Sequence, residues 1–284
     1  MIFTSSVPAN IRVPVIITDY LARRFTYHDV SQWAKIVHEG RIRINGEVCG
    51  VHSAVAGDDT ISYDPGDFDE PDADLSYTII YEDDWTIGVC KPKNLLVHRA
   101  GRSFRNNLVY LLRHVNTPPY PECHPVHRLD KDTSGVVLFA KDAEQKAVFG
   151  KLFDEGKVIK TYKAVVDGCP DIELPFTIDA PISADKERSY KFKAGMHENG
   201  DGKPAVTIID AIQCLDDGRS VLTVRPLTGR THQIRVHLAS IGFPVFGDWL
   251  YGREESSRLA LHCESLSFTH PHTGSRCEIK SDIY

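Results

Sequence analysis

The sequence predicts an α+β protein in two parts: a small α+β module at the N-terminus and a larger domain built on a mixed sheet. Three observations predict it. Strand-like and helix-like segments alternate irregularly, without the βαβ order of a parallel sheet. An acidic stretch holding Pro65, Gly66 and Pro71 divides the first 63 residues from the rest. The length, 284 residues, suits a small domain plus a medium one, and 42% hydrophobic residues suffice for a sizeable core.

The first module spans residues 1–63. Leu21 and Phe25 lie four apart, as one face of a short helix requires. Thr26 is placed to cap a second helix, with Asp29 three residues later as an acidic capping-box partner. Val30, Trp33, Ala34 and Val37 repeat at helical spacing, and Gly40 is a stop. Arg41-Ile42-Arg43-Ile44 alternates like a half-buried strand, and Asn45-Gly46 marks a tight turn. Arg23, Arg24, Lys35, Arg41 and Arg43 are its candidate phosphate contacts.

Residues 64–76 read as an acidic linker, with Asp64, Asp67, Asp69, Glu70, Asp72 and Asp74. The sheet domain then runs over 77–284. Thr86–Cys90, Gly135–Ala140, Tyr162–Val166 and Val221–Arg225 are its strand candidates. Ala143–Glu155 is a helix candidate, with Asp142 as cap and Gly156 beyond its end. Thr231–Ile241 is another, with Ile234, Leu238 and Ile241 on its buried face.

Two constellations carry chemistry. His127-Arg128-Leu129-Asp130-Lys131-Asp132-Thr133-Ser134-Gly135 concentrates acids, bases and hydroxyls just before an apolar strand, Val136 to Ala140. Such a turn sits at a strand end, where sites are commonly built. Arg128 and Lys131 beside Asp130 favour its ionised form, which suits a nucleophile or a general base. A turn-capping aspartate paired with a surface cation would read the same way. The second is Thr228-Gly229-Arg230-Thr231-His232-Gln233-Ile234-Arg235-Val236-His237. Helical spacing puts His232 and Arg235 on one face, where an arginine can hold a carboxylate or a phosphate. A helix with a solvated basic face is the alternative.

Together these stretches resemble the two signatures of RluA-type pseudouridine synthases. Leu138-Phe139-Ala140-Lys141, Gly202 to Thr207, Gly247-Asp248, Leu259 to His262 and His270-Pro271 continue the likeness in order. So do Lys91-Pro92, Leu96-Val97-His98, and the Lys160, Tyr162 and Ala164 strand. The resemblance implies a largely antiparallel catalytic sheet of pseudouridine synthase type. It implies Asp130 as the catalytic carboxylate, Tyr162 against the target base, and Arg235 paired with Asp130. Arg128 would help flip the target uridine; Thr133, Arg230, His232 and Leu261 would line its pocket. One departure is Lys93-Asn94, where the family has Ala-Gly; Asn tolerates the left-handed backbone that the turn requires. The first module resembles the alpha-L RNA-binding module, carried by Gly40 to Gly46.

The implied partner is RNA, ribosomal or transfer. A net charge of −6 argues weakly against that, but the acids are clustered and basic patches survive. The isomerisation needs no redox step and no phosphoryl transfer, so no cofactor is expected, and neither a P-loop nor a dinucleotide motif is present. No metal is expected either: His124 with His127, and His232 with His237, lack metal-site spacing. Seven scattered cysteines without Cys-x-x-Cys predict no disulfide framework and suit a reducing cytoplasm. No apolar run has membrane-span length, no secretory signal is evident, and a monomer is expected. Three other readings remain open: a non-catalytic RNA-binding protein on the same fold, a glycosidic-bond hydrolase, and a metal-dependent nuclease.

Overall fold

A computed structural model describes residues 2–66, 70–184, 194–195, 202–252 and 258–282. Asp67 and Asp69 of the acidic stretch lie outside the described residues. The chain forms two compact units. One comprises residues 1–71 with 100–104, the other 72–99 with 105–284. Residues 100–104 therefore join the first unit, an excursion that boundaries at 63 and 77 did not include.

In the first unit, helices Ile17–Arg24 and Val30–His38 precede a hairpin of Ile42–Ile44 and Glu47–Val48. Its sheet runs, in spatial order, Phe3–Ser6, Thr60–Tyr63, Ile42–Ile44, Glu47–Val48, all antiparallel. The second helix is capped by Asp29, not Thr26. Its carboxylate accepts the Gln32 N–H while the Gln32 side chain accepts the Asp29 N–H. Asp outranks Thr as a cap, and Gln32 completes the box one turn on. Trp33, Ile17, Leu21 and Ile42 are fully enclosed, so this unit has its own core.

The second unit is a 10-stranded mixed sheet. Its spatial order is Phe176–Asp179, Val206–Cys214, Arg219–Pro226, Ile159–Asp167, Leu261–Thr269, Ser134–Ala140, Thr86–Lys91, Thr78–Glu82. Arg276–Lys280 pairs with Leu261–Thr269, and His124–Pro125 with Ser134–Ala140. Its named pairings among the described residues are antiparallel except one, where Ser134 and Gly135 run parallel to His262 and Cys263. That parallel contact is close. A Cβ on Gly135, whose φ is +114°, would lie 2.2 Å from the Cys263 carbonyl oxygen. Only glycine allows the two strands to meet there.

Helix Ala143–Asp154 starts at Asp142, whose side chain accepts the Gln145 N–H. The second predicted helix is shorter than its pattern, Gln233–Ser240, because His232 adopts a left-handed φ of 55°. Asn94 has the left-handed backbone expected of it, with φ 55°. The cysteine expectation needs correction: Cys169 and Cys214 form a disulfide, with Cα atoms 5.6 Å apart. Their strands, ending at Asp167 and Cys214, flank the same strand, Arg219–Pro226, a proximity that sequence spacing does not encode. Among the described residues no helix is long and apolar enough to cross a membrane.

Candidate active site

The site lies where three neighbouring strands meet. Ser134 sits opposite His262 on one side of the Leu261–Thr269 strand, and Tyr162 sits opposite Cys263 on the other. This register brings the turn before Ser134, the Tyr162 side chain and the start of the Leu261 strand to one place. They line a cleft of about 530 Å³. All eight residues singled out in this domain border it: Asp130, Tyr162, Arg235, Arg128, Thr133, Arg230, His232 and Leu261.

Asp130 begins a tight turn closed by the Thr133 N–H, which donates to the Asp130 carbonyl at 3.2 Å. Lys91 fixes this turn from below. Its side chain is fully buried, and its ammonium donates to the carbonyls of Pro92, Leu95 and Lys131 at 2.8, 2.8 and 2.9 Å. Burial pushes the Lys91 amine down to about 7, against the opposing pull of Asp132 and Asp130. Sequence reading placed Lys91 only within the motif that resembles the family's opening strand and turn; its apolar strand, Thr86–Lys91, was the available signal.

The Asp130 carboxylate faces a guanidinium and an imidazole. Arg235 Nη1 is 3.9 Å from it and His232 Nε2 is 4.0 Å. Both contacts exceed hydrogen-bond length. The expected Arg235–Asp130 pair is therefore a longer-range approach, and the primary partner of Arg235 is another residue. Arg235 donates from Nε and Nη2 to the two oxygens of Asp248, at 2.7 Å each. A bidentate fork consumes two nitrogens in one plane and leaves the third to point elsewhere. Asp248 was visible only as part of Gly247-Asp248, with nothing local to connect it to Arg235 thirteen residues earlier.

Burial opposes the charge on Arg235, but the bonds and charge of Asp248, with Asp130 and Tyr251 adding, together hold its pKa above the ordinary value. Burial pushes His232 down, with Asp130 pulling the other way. The His232 Nδ1 shares a hydrogen bond with the Tyr251 hydroxyl at 2.9 Å, and the Tyr251 ring lies 5.2 Å from the Arg235 guanidinium. Gln233 secures the loop before the helix. Its amide oxygen accepts from the Arg230 N–H and the Thr228 hydroxyl; its NH₂ donates to Val206 O and Thr207 Oγ1.

The cleft walls are apolar and aromatic at their base. Tyr162 and Leu261 are buried. Burial raises the Tyr162 hydroxyl well above its ordinary pKa, and Cys263 adds to the effect. Thr133 is also buried, and its hydroxyl has no partner among the described residues. Arg128 and Arg230 are exposed at the rim; Arg230 Nε donates to Pro204 O at 3.0 Å. Lys160, two residues before Tyr162, also lines the cleft and uses one donor, on Thr228 O at 3.2 Å.

The module cations divide. Arg23, Arg24, Lys35 and Arg43 are exposed. Arg41 is engaged inside its unit, donating to Asp64 O at 2.8 Å and to Glu39 at 3.1 Å. Two of its donors are thus held within the unit, where those of Arg23, Arg24 and Lys35 face solvent. Among the described residues, no three His, Cys, Asp or Glu side chains gather as a metal site.

Residues 86–240 match the family model for RNA pseudouridylate synthase. The chain is similar to the uncharacterized RNA pseudouridine synthase YlyB of Bacillus subtilis, 34% identical over 89% of this chain and 84% of that protein. It is similar to the ribosomal large subunit pseudouridine synthase D of Vibrio cholerae, 32% identical over 93% of this chain and 86% of that protein. The dual-specificity RNA pseudouridine synthase RluA of Escherichia coli is 32% identical over 72% of this chain and 91% of its own length. Among solved structures, human RNA pseudouridylate synthase domain containing 1 superposes with a TM-score of 0.62 at 26% identity, covering 75% of this chain and 86% of that one. The chain belongs to the RNA pseudouridylate synthase family, in its RluA branch.

Proposed function

We propose that Asp130 is the carboxylate with which this enzyme isomerises uridines in structured RNA, and that ribosomal RNA is its target class. The observation that carries the reading is the state of Asp130 in the cleft. The Arg235 guanidinium and the His232 imidazole face it at 3.9 and 4.0 Å, close by but too far to occupy its oxygens. The carboxylate is thus available to a substrate.

The chemistry follows from the product. The N1–C1′ bond of uridine breaks, the uracil turns, and a C5–C1′ bond forms. C5 loses its proton to solvent and N1 gains one, so mass is unchanged. The base must leave its stack first, at a cost of a few kcal/mol. Arg128 and Arg230 at the rim offset this by holding the RNA backbone, and Tyr162 and Leu261 receive the base face. Thr133 offers its unpartnered hydroxyl to the flipped nucleotide. Asp130 begins the reaction either by attacking the nucleotide or by removing a ribose proton; both need an ionised, uncovered carboxylate. Tyr162, protonated at neutral pH, acts as a hydrogen-bond donor before it acts as a base.

The ribosomal assignment rests on the Vibrio cholerae relative, whose similarity spans 93% of this chain, including the first unit. Arg23, Arg24, Lys35 and Arg43 of that unit add phosphate contacts, which supply affinity more than sequence specificity.

The test is a pseudouridine map of total RNA from cells lacking the protein, complemented with wild type or Asp130→Asn. Wild type is expected to restore specific ribosomal sites and the variant none. In parallel, the purified enzyme should release tritium from RNA labelled at uracil C5 without releasing free uracil. Release of free base would turn the reading to a hydrolase, and restored sites confined to transfer RNA would overturn the target class.

A further inference from the structure

Two polar side chains meet behind the cleft, one from each strand of the parallel contact. Ser134 and His262 are register partners, and Ser134 Oγ lies 2.8 Å from His262 Nδ1. Successive residues of a strand point to opposite faces. Leu261 lines the cleft, so His262, next along its strand, turns to the other face, and Ser134 with it. The isomerisation as derived above uses neither.

The far side of the ring is occupied as well. His262 Nε2 lies 2.8 Å from Ser281 Oγ and 3.4 Å from Ser281 O. Ser281 follows the Arg276–Lys280 strand directly and is still tied to the sheet, its N–H donating to Glu264 O at 2.9 Å. His262 and Ser281 are both buried. A polar chain, Ser134–His262–Ser281, therefore runs along the back of the sheet, from the Asp130 turn to the end of the last strand.

The chain has a direction. A carbonyl oxygen only accepts, so Nε2 carries the ring proton toward Ser281. Nδ1 then holds a lone pair, and the Ser134 hydroxyl donates to it. Burial pushes the imidazole below its ordinary pKa and the Lys93 charge adds to that; the bond to Ser281 and the charges of Glu264 and Asp282 oppose it. The neutral ring is the form that accepts from Ser134.

Ser134 is the exit of the Asp130 turn. Lys91 holds the turn at Lys131, and the Thr133 N–H closes it on the Asp130 carbonyl. Thr133, just before Ser134, has a hydroxyl without a partner among the described residues, and Gly135, just after, has no side chain. Ser134 thus carries the side-chain tie at this end.

We infer that His262 is a positioning residue: it ties Ser134 to Ser281, and so braces against the last strand the turn that presents Asp130 and Thr133 to the cleft. The inference rests on the reading of Asp130 as the catalytic carboxylate. A turn released at its exit is free to shift, and a displacement of about 1 Å in a reacting group costs up to about 100-fold in rate.

The experiment measures kcat and KM by tritium release from ribosomal RNA labelled at uracil C5. Ser134→Ala and Ser281→Ala each delete one oxygen. Each is expected to lower kcat about 5- to 50-fold, with KM within about twofold. The double variant should lose less than about twofold more than Ser134→Ala alone, because Ser281 acts through the same ring. The two His262 variants separate the ends of the chain. His262→Asn sets an amide oxygen near the Nδ1 position and keeps an acceptor for Ser134, whereas His262→Gln reaches the Nε2 position and keeps a donor for Ser281. Both should melt lower, and His262→Asn should lose less kcat than His262→Gln. Lower melting with full kcat overturns the inference, as do independent, multiplying losses in the two serine variants or a smaller loss in His262→Gln. If the His262 variants fail to fold, the serine pair carries the test. Asp130→Asn is run alongside. If it stays active, the catalytic reading has failed; if it is dead while both serine variants keep full kcat, only the positioning role has.

Discussion

The Lys91 ammonium donates a 2.9 Å hydrogen bond to the carbonyl of Lys131, the residue directly after Asp130. The bond ties the end of the Thr86–Lys91 strand to the Asp130 turn, and the other two ammonium donors hold Pro92 and Leu95. Replacing Lys91 by Met keeps the unbranched stem of the side chain and removes every donor. Buried carbonyls then lose their partner, at a cost of about 1–3 kcal/mol each where no water replaces it. Lys91→Met is expected to lower the melting temperature by several degrees and to reduce kcat more than it raises KM. Calorimetry and steady-state kinetics check both; an unchanged kcat in a destabilised protein would confine Lys91 to a purely structural role.

His127 gives a pH prediction. Its Nε2 accepts the Leu138 N–H at 3.0 Å, and its ring stacks on Phe153 at 4.7 Å. Burial pushes the imidazole down to about 3, with Lys160 adding to the effect. The unfolded chain takes up a proton near pH 6.5 that the folded chain refuses. Stability is therefore fully present above pH 6.5 and falls as the pH drops toward 3, by about 1.4 kcal/mol per unit at most. Between pH 6.5 and 5, wild type should lose about 2 kcal/mol more than His127→Gln in urea unfolding. Parallel pH curves for the two proteins would show that His127 titrates alike in both states.

Much of this site was legible because its parts are local in sequence. Asp130, its flanking bases and the strand after it form one uninterrupted turn. His232 and Arg235 stand three residues apart, and both face Asp130 although His232 lies just outside the helix. What escaped is what the sheet creates. The Arg235–Asp248 fork, the disulfide of Cys169 and Cys214, and the anchoring of Lys131 by Lys91 each join segments that only tertiary folding brings together. Cap choice failed for a smaller reason: Thr26 and Asp29 are both acceptable caps, and Gln32, which decides between them, reads as an ordinary surface residue.

Tyr162 separates two roles for an aromatic residue. Its ring lines the cleft, and burial keeps its hydroxyl protonated far into the alkaline range. Tyr162→Phe preserves the surface on which a base would rest and removes only the hydroxyl. If the hydroxyl takes part in proton transfer, kcat should fall by about 100-fold or more while RNA affinity holds. Wild-type kcat should show no tyrosine titration below pH 10. An alkaline limb near pH 8 that disappears in Tyr162→Phe would contradict the enclosed, protonated hydroxyl.

The basic residues of the first unit differ in what they are free to do. Arg23, Arg24, Lys35 and Arg43 project to solvent, whereas Arg41 holds Asp64 and Glu39 and lies against the Tyr63 ring, 5.9 Å from its centroid. A phosphate contact releases counterions, so each one lost reduces the slope of log affinity against log salt by about 0.7 to 0.9. Neutralising the four exposed residues to Gln should flatten that slope by up to about 3 and leave the melting temperature nearly unchanged. Arg41→Gln should do the reverse, because two of its donors hold Asp64 and Glu39 inside the unit: an unaltered slope and a lower melting temperature. Filter binding across a salt series, with calorimetry on the same proteins, distinguishes them. A slope that Arg41→Gln changes as much as Arg43→Gln would mean that RNA draws Arg41 away from Asp64, and that the first unit rearranges when it binds.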